Sequence, residues 1–283
     1  MAFAPGRRWS WGIVLLVLMI AVPLTWSSLY AALYSFGFIG RFSDGATTRH
    51  WLAAWSTGGL LASVTYSAGV AMMATFLAYS LAMIGVLWFP ETRNQRIRLA
   101  LLAIPLAMPP AVVAITAFQI LNPGGWLARV AFAVGLLQSP AQFPEFVQDQ
   151  WSIGLILGQA ALSFPILLLY LLKNWNSGQL DQYCQLARSL GATGWQIRLR
   201  VALPILIQRA RSFVMLTFLI NLGAYELPLL LGRQAPQMFA VLTQRRFVLY
   251  DLTQRPQAFA LALTYFIGVS GGLLLLLAWR RSR

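Results

Sequence analysis

The chain has 283 residues, of which 59% are hydrophobic and only 10% are charged. Soluble domains use roughly 45–50% apolar and about 25% charged residues, so this composition excludes a soluble protein and predicts an integral membrane protein surrounded by lipid. The formal net charge of +14 would suit a nucleic-acid surface, but the distribution of the charges indicates membrane topology instead and excludes nucleic acid as a partner.

Six apolar segments approach or exceed the roughly 20 residues that a helix needs to cross a bilayer. They are residues 11–36, 58–88, 99–121, 151–172, 212–231 and 258–279. Arg7 and Arg8 precede the first segment, which is too long for a secretory signal peptide and is not closed by a small-residue cleavage site. The sequence therefore predicts an all-α integral membrane protein with six transmembrane helices in a single domain, residues 1–283.

The basic residues predict the orientation of these helices. With both termini placed in the cytoplasm, 14 of the 21 basic residues and two of the seven acidic residues lie on the cytoplasmic side. This asymmetry follows the positive-inside rule. We expect a multi-pass protein of the bacterial cytoplasmic (inner) membrane, with a short inner loop at residues 90–98 and outer segments at about 37–57, 122–150 and 233–257.

Prolines interrupt the third segment at positions 105, 109 and 110. Backbone groups left unsatisfied in lipid are tolerated only where they meet protein or water, so this span is expected to face the interior. The turn Asn122-Pro-Gly-Gly125 follows, and residues 127–137 are predicted to form a helix lying flat at the membrane surface.

A charged stretch at about residues 174–208 separates the fourth and fifth spans. A helix beginning near Asp181 would place Tyr183, Leu186, Ala187 and Leu190 on one apolar stripe. Gly191 then follows in the C′ position, where a positive φ is needed.

A second helix is predicted to begin directly after this bend. Thr193 and Gln196 have the spacing of a capping box, and the helix that they start would carry Trp195, Leu199 and Ala202. Two short helices joined by a bend result.

This element resembles the cytoplasmic signature of the membrane subunits of type I binding-protein-dependent ABC importers. The family pattern is Glu-Ala-Ala, three residues, Gly and a final Leu-Pro; residues 185–187 (Gln-Leu-Ala), Gly191 and Leu203-Pro204 stand at these positions with the family's spacing. The resemblance implies the type I ABC importer permease fold, with coupling helices that insert into a groove on each ATPase subunit. The residues that it assigns to coupling are Gln185, Ala187, Arg188, Gly191, Trp195, Leu203 and Pro204.

Three further features are similar to the polyamine (spermidine/putrescine) branch of this family: Pro109-Pro110 leading to the turn at 122–125, residues 223–232 with Gly, aromatic, Pro and Gly, and residues 238–262. The resemblance implies a polyamine or another small polar solute. Family members usually have Asp after the first Gly of 223–232; here Ala224 stands there and Glu226 supplies the acid two residues later.

The chain contains no motif for hydrolysing ATP. A P-loop requires Gly-x-x-x-x-Gly-Lys-Ser/Thr, and the only lysine, Lys173, is preceded by Tyr-Leu-Leu. With a single Cys and a single His, the chain also cannot build an internal disulfide or a Cys/His metal site. We therefore predict a subunit without enzymatic activity and without a cofactor or metal of its own, with ATP and Mg²⁺ bound by a partner ATPase.

Glu226 is the one acidic residue in or beside a predicted span. Intramembrane acids are costly and mark functional sites by default, although an ion pair with Arg233 or contact with water at the outer end of the span would equally account for it. The candidates for the translocation path are Asn221, Tyr225, Glu226 and Pro228, of which Pro228 would remove a helix hydrogen bond in the fifth span.

The preferred interpretation is a permease subunit that works with an ABC ATPase dimer, a second identical or homologous permease and an extracytoplasmic solute-binding protein. A secondary transporter driven by an ion gradient is the main alternative; it would need intramembrane acids in repeated halves and has no use for a coupling loop. A structural membrane protein is a second alternative, and it would not need the proline-rich spans.

Single cysteines test the topology. Cysteines at Arg188 and Arg281, in a Cys184→Ser background, are expected to react with a membrane-impermeant thiol reagent only from the cytoplasmic side, and one at Arg245 only from outside. Labelling of position 188 in intact cells would contradict the six-span topology.

Overall fold

The computed structural model describes residues 11–40, 45–56, 59–88, 102, 104–248 and 254–281. In this part of the chain every regular element is helical, and six helices are long and apolar enough to cross a membrane. The short loop predicted at residues 90–98 lies outside the described residues.

The helices are numbered in chain order. They are α1 (Trp11–Ser35), α2 (Arg49–Ser56), α3 (Leu60–Trp88), α4 (Pro110–Leu121), α5 (Trp126–Ala133), α6 (Ile153–Trp175), α7 (Gly178–Ser189), α8 (Gly194–Leu222), α9 (Glu226–Leu231), α10 (Phe239–Val248) and α11 (Arg255–Arg281). The six candidate spans are α1, α3, Pro110–Ala133 (α4 with α5), α6, α8 and Arg255–Leu274 within α11.

The chain divides into two compact units, Met1–Leu60 with Thr243–Leu275 and Leu61–Leu242 with Leu276–Arg283. In the first unit, aromatic rings join α1 to α11: the ring centroids of Tyr34 and Phe259 are 4.7 Å apart. The prediction of one functional domain stays a prediction.

In the second unit, α3 presents small side chains to its neighbours. Ser67, Ala71, Ala74, Ala78 and Ala82 all have a relative exposure of 0%. Lipid tails are as apolar as Leu, so helices in a membrane associate through close packing, which small residues permit. This explains why α3 is buried along one stripe although its sequence is apolar all round.

Two groups of buried apolar residues lie at opposite ends of α3 and α6. The loop-end cluster is centred on Ala82, Val86, Leu167, Leu171, Leu180, Ile197 and Leu206. The far-end cluster consists of Val70, Ala114, Leu155, Leu227, Leu231, Met238 and Val241. The loop-end cluster therefore packs α7 and the start of α8 against the ends of α3 and α6.

The third span differs from its prediction. Residues 104–107 are helical, and Pro109 and Pro110 then stand at the N-cap and first position of α4. A proline at the start of a helix costs no hydrogen bond, because the first amides of a helix have no partner within it. Pro109 and Pro110 therefore do not support an interior-facing span, and only Ala114 of α4 is buried within the chain.

The fifth span also begins and ends earlier than predicted. The expected helix at 212–231 is instead α8, which runs from Gly194 to Leu222 and is followed by a break and the separate helix α9. The predicted second short helix is consequently the beginning of a long one. Apolar residues continue across the break, so composition did not reveal it.

Gly158 on α6 allows α9 to pack closely. A Cβ at this position would lie 2.7 Å from Cδ2 of Leu227 and 3.3 Å from Cδ1 of Leu231, and both leucines are buried. We expect Gly158→Ala to lower thermal stability in detergent by about 1–3 kcal/mol because of overpacking. Gly69→Ala on α3, where no atom lies within 4 Å, is the matched control, and an equal effect of both changes would contradict this assignment.

Candidate functional site

Helix α7 has two apolar faces, and only one of them is covered. On the inner face Leu180 and Cys184 are 1% and 8% exposed and belong to the loop-end cluster. On the outer face Tyr183, Leu186 and Leu190 are 53%, 60% and 80% exposed. We call these three residues the exposed stripe. The predicted stripe is therefore real, but its large side chains point away from the chain's own core, whereas Ala187 packs against the core.

The bend after α7 has the predicted geometry. Gly191 has a φ of +83°. Its amide donates to the Arg188 carbonyl at 3.0 Å, and the Ala192 amide donates to the Ala187 carbonyl at 3.0 Å. These two bonds form a Schellman motif, which satisfies carbonyls at the end of α7 and requires a positive φ at the glycine position.

The capping box at the start of α8 is present as predicted. The Thr193 amide donates to Oε1 of Gln196 at 2.9 Å, and the Gln196 amide donates to Oγ1 of Thr193 at 3.4 Å. The Schellman motif and the capping box together fix the direction of the chain on both sides of the bend with local hydrogen bonds.

Gln185, which stands where the importer pattern has Glu, is bonded within α7. Its Nε2 donates to Oδ2 of Asp181, one turn earlier, at 2.9 Å. A glutamate at 185 would place two carboxylates at i and i+4, which destabilises a helix. Asp181 therefore provides a physical reason for the amide at this position.

Arg209 of α8 attaches the start of α7. Its guanidinium donates to Oγ of Ser177 at 2.6 Å and to Oε1 of Gln179 at 3.0 Å. The Tyr170 hydroxyl of α6 donates to the Arg209 carbonyl at 3.0 Å, and the Tyr170 ring stacks on Phe213 with centroids 4.2 Å apart. α7 is thus tied to α8 at its start and by the loop-end cluster along its length.

The two predicted contact candidates lie differently. Arg188 is exposed, beside the stripe. Trp195 is 54% exposed, but its ring centroid is 5.4 Å from that of Trp88 at the end of α3, and the Arg198 guanidinium lies 5.5 Å above the Trp88 ring. Trp195 therefore also joins the bend to α3, a contact that the sequence did not indicate.

Behind the exposed stripe, a cavity of 220 Å³ opens between α7 and the start of α8, lined by Trp175, Leu180, Asp181, Cys184, Arg188, Gly194, Ile197 and Arg198. The pKa of the Cys184 thiol is raised, first because burial disfavours the charged thiolate. The positive charge of Arg188 lowers this pKa, and the negative charge of Asp181 raises it further. A buried thiol with a raised pKa is unreactive, which makes Cys184 a packing residue.

Leu203 and Pro204 lie inside α8 and do not end it. A π turn, Ile197–Ala202, comes directly before them. Pro204 has no amide hydrogen, and its ring would collide with the carbonyl four residues earlier in a regular α-helix. The wider π turn accommodates the proline, so the helix continues from the bend into the span.

A polar cluster lies between the two apolar clusters. Nδ2 of Asn221 (α8) donates to Oγ1 of Thr75 (α3) at 3.0 Å, and Oγ of Ser163 (α6) donates to Oδ1 of Asn221 at 3.0 Å. Nε2 of Gln159 reaches the Asn221 carbonyl at 3.4 Å. Thr75, Gln159 and Ser163 were not predicted; the available signal was that each is a polar residue within a long apolar span.

The other translocation-path candidates lie at or in α9. Tyr225 packs on the far-end cluster, Pro228 is buried in the first turn of α9, and Glu226 is half-buried at its first position. The break that precedes α9 falls at residues 223–225, so Pro228 does not interrupt the fifth span as predicted. A proline in a first turn removes no hydrogen bond.

The alternative role of Glu226 in an ion pair with Arg233 is not what the structure shows. Within the described residues no salt bridge joins the two. The Arg233 guanidinium lies 4.3 Å above the Tyr66 ring and donates to the Gln150 carbonyl at 3.3 Å. The Tyr66 hydroxyl and Oγ of Ser152 are 2.6 Å apart. Arg233 thus connects the ends of α3 and α6 and forms no ion pair with Glu226.

Among the described residues, no group of three or more His, Cys, Asp or Glu side chains is placed to hold a metal ion. The absence of a cofactor in this chain stays a prediction.

No family model matches the sequence, and no curated protein matches it either. Solved structures do match. A chain of a bacterial ABC transporter involved in the import of the acidic polysaccharide alginate aligns with a TM-score of 0.71 and 14% identity over 96% of this chain and 93% of that one. A chain of a bacterial alginate ABC transporter in complex with an alginate pentasaccharide-bound periplasmic protein aligns with a TM-score of 0.67 and 16% identity, over 93% and 92%.

These matches confirm the predicted fold class. In the part of the chain that the structure describes, the protein is all-α, has six helices long and apolar enough to cross a membrane, and has the fold of a type I ABC importer permease. At such identities the likeness concerns the fold alone.

A double-mutant cycle tests the separation of Glu226 from Arg233. Arg233→Gln is expected to lower thermal stability by about 0.5–1 kcal/mol, because it loses the Tyr66 ring and the Gln150 carbonyl. Glu226→Gln is expected to leave stability nearly unchanged, and the double variant to equal the sum of the two within about 0.5 kcal/mol. A coupling energy clearly above that value would contradict this separation and support an ion pair between Glu226 and Arg233.

Proposed function

We propose that the chain is the transmembrane permease subunit of an ATP-driven ABC importer, which forms part of the solute path and couples it to a separate ATPase subunit. The exposed stripe on α7 carries this proposal. A short helix outside the spans, held rigidly from behind and showing three large apolar side chains in front, has the features of a helix that binds in a groove on another protein. The fold shared with ABC transporter chains supports an ABC ATPase as that protein.

The surroundings of the stripe define the chemistry of the partner groove. Arg188 and Arg200 are exposed, and the one acid of α7, Asp181, accepts a hydrogen bond from Gln185. We therefore propose a groove with an apolar floor and carboxylates at its rim. Gln185 and Ala187 support the stripe from within the helix, and Gly191 sets the angle of the bend.

The continuity of α8 gives the coupling its mechanical basis. When two ATPase subunits close on each other, they would move the bend. The movement would reach the fifth span along α8, which continues through Leu203 and Pro204. The cycle is then a change between two conformations that the partner biases, with no chemistry on the solute. ATP and Mg²⁺ belong to the ATPase dimer.

The remaining partners follow from the same proposal: a second permease, identical or homologous, and an extracytoplasmic solute-binding protein. The location is the bacterial inner membrane, with both termini cytoplasmic. The solute is a small polar compound. Glu226 favours a cation such as a polyamine, whereas the structural neighbours belong to transporters of an acidic polysaccharide, so an uptake screen must include both charges.

An ion-driven secondary transporter has less support. Within the described residues, none of the six candidate spans contains Asp or Glu, the side chains that such transporters use to bind protons or sodium ions.

The test is co-purification with the ABC ATPase encoded nearest to this chain's gene. The double change Leu186→Ser, Leu190→Ser is expected to weaken ATPase binding more than tenfold, because each buried leucine contributes about 1.5–3 kcal/mol. Leu136→Ser is the control, since Leu136 is 78% exposed and lies in the segment after α5. Binding of normal strength in the double variant would refute the docking role.

Gly191→Val tests the bend in the same assay. No atom lies within 4 Å of a Cβ at Gly191, so valine acts only through its resistance to a positive φ. ATPase binding is expected to fall, Gly191→Asn to retain most of it, and Gly194→Ala, which has equal space and no positive φ, to retain all of it. Equal loss in the valine and alanine variants would show that the bend angle is not the cause.

A further inference from the structure

The polar cluster of Thr75, Gln159, Ser163 and Asn221 lies where three spans meet. Thr75 belongs to α3, Gln159 and Ser163 to α6, and Asn221 to the last turn of α8. Their relative exposures are 4%, 1%, 6% and 5%. A solute has no access to such side chains within this unit, so Asn221 is not a path-lining residue in this conformation.

Asn221 is the central member of the cluster. Its side chain uses both ends, donating to Thr75 and accepting from Ser163, each at 3.0 Å. Its backbone carbonyl accepts from Gln159 at 3.4 Å and from the Ala224 amide at 3.3 Å. One residue therefore binds α3, α6 and the turn that ends α8.

The position of Asn221 along the chain gives these bonds a further consequence. α8 begins at the bend after α7, 27 residues before Asn221, and ends one residue after it. The break and Glu226 follow directly. The hydrogen bonds of Asn221 thus hold the end of α8 that is farther from the exposed stripe.

We propose that Asn221 is a positioning residue that joins α3, α6 and α8 into one rigid body, so that movement at the bend shifts the three spans together and carries the break before Glu226 with them. In lipid no hydrophobic effect drives helices together, so their association depends on close packing and on buried hydrogen bonds between them. Such hydrogen bonds also fix the position of one helix along the next. The transport aspect rests on the proposed function, whereas the rigid connection does not.

The test measures a distance between spin labels at Trp151 and Arg200, each changed to Cys in a Cys184→Ser background. Trp151 is 78% exposed just before α6, and Arg200 is exposed near the start of α8, so the labels lie at opposite ends of two packed spans. In the isolated permease, one narrow distance distribution is expected. Asn221→Leu, which keeps the size and removes the bonds, is expected to widen it about twofold.

Two further variants keep the test decisive. Thr75→Val and Ser163→Ala each remove one bond, and each is expected to widen the distribution by less than Asn221→Leu. If Asn221→Leu cannot be purified, these variants replace it. Thr217→Val is the matched control, because Thr217 is buried in α8 and its hydroxyl donates only to the Phe213 carbonyl of the same helix, at 2.9 Å, so its loss should leave the distribution narrow. An unchanged distribution in all cluster variants, or equal widening in Thr217→Val, would overturn the proposal.

The complex with the ATPase gives the second readout. When the ATPase is trapped with ATP and vanadate, the distance between positions 151 and 200 is expected to stay constant in the otherwise unmodified chain and to shift in Asn221→Leu. A shift without the Asn221 change would refute the rigid body while leaving the docking role intact. Failure of the ATPase to bind the unlabelled chain, which retains Arg200, would refute the proposed function alone, since the isolated permease already reports on the connection.

Discussion

The unbroken course of α8 is the constraint on which the arrangement of the second unit depends. This helix begins after the Schellman bend and contains a π turn just before Pro204. Arg209 bonds it to the start of α7, and Asn221 bonds its last turn to the neighbouring spans. Backbone groups in lipid must be satisfied within the protein, so a helix that crosses the membrane keeps its hydrogen bonds along its length. The exposed stripe and the polar cluster are therefore joined through the bend and a single helix, although Leu190 and Asn221 are 31 positions apart.

The local features could be read from the sequence because each rests on contacts between near neighbours. Gly191 as a C′ residue and the Thr193–Gln196 capping box involve groups within six positions of one another, and the structure has both. The ends of α8 could not be read, since Pro204 is a helix breaker by propensity, whereas in the structure it follows a π turn within a continuous helix. The break near Gly223 was equally hidden, because Leu and Pro continue the apolar composition into α9.

Contacts between distant positions account for the other differences. Asn221 was recognised as a polar residue in a span, but its partners lie 146 and 58 positions away, and no periodicity relates them. Arg233 was paired with Glu226 because the two are close in sequence and opposite in charge, whereas the ring of Tyr66 and a carbonyl occupy it instead. A guanidinium can bind carboxylates and carbonyls and can stack on aromatic rings, so opposite charge alone does not identify its partner.

The π turn at Ile197–Ala202 has a consequence for comparing this chain with others. A π turn bonds each amide to the carbonyl five residues back and so contains one residue more than the α-turn it replaces. Side chains after residue 202 are rotated by about 100° relative to those of an uninterrupted α-helix. Against a chain that lacks this turn, an alignment that treats residues 194–222 as regular α-helix therefore matches the positions on one side of the turn to the wrong neighbours.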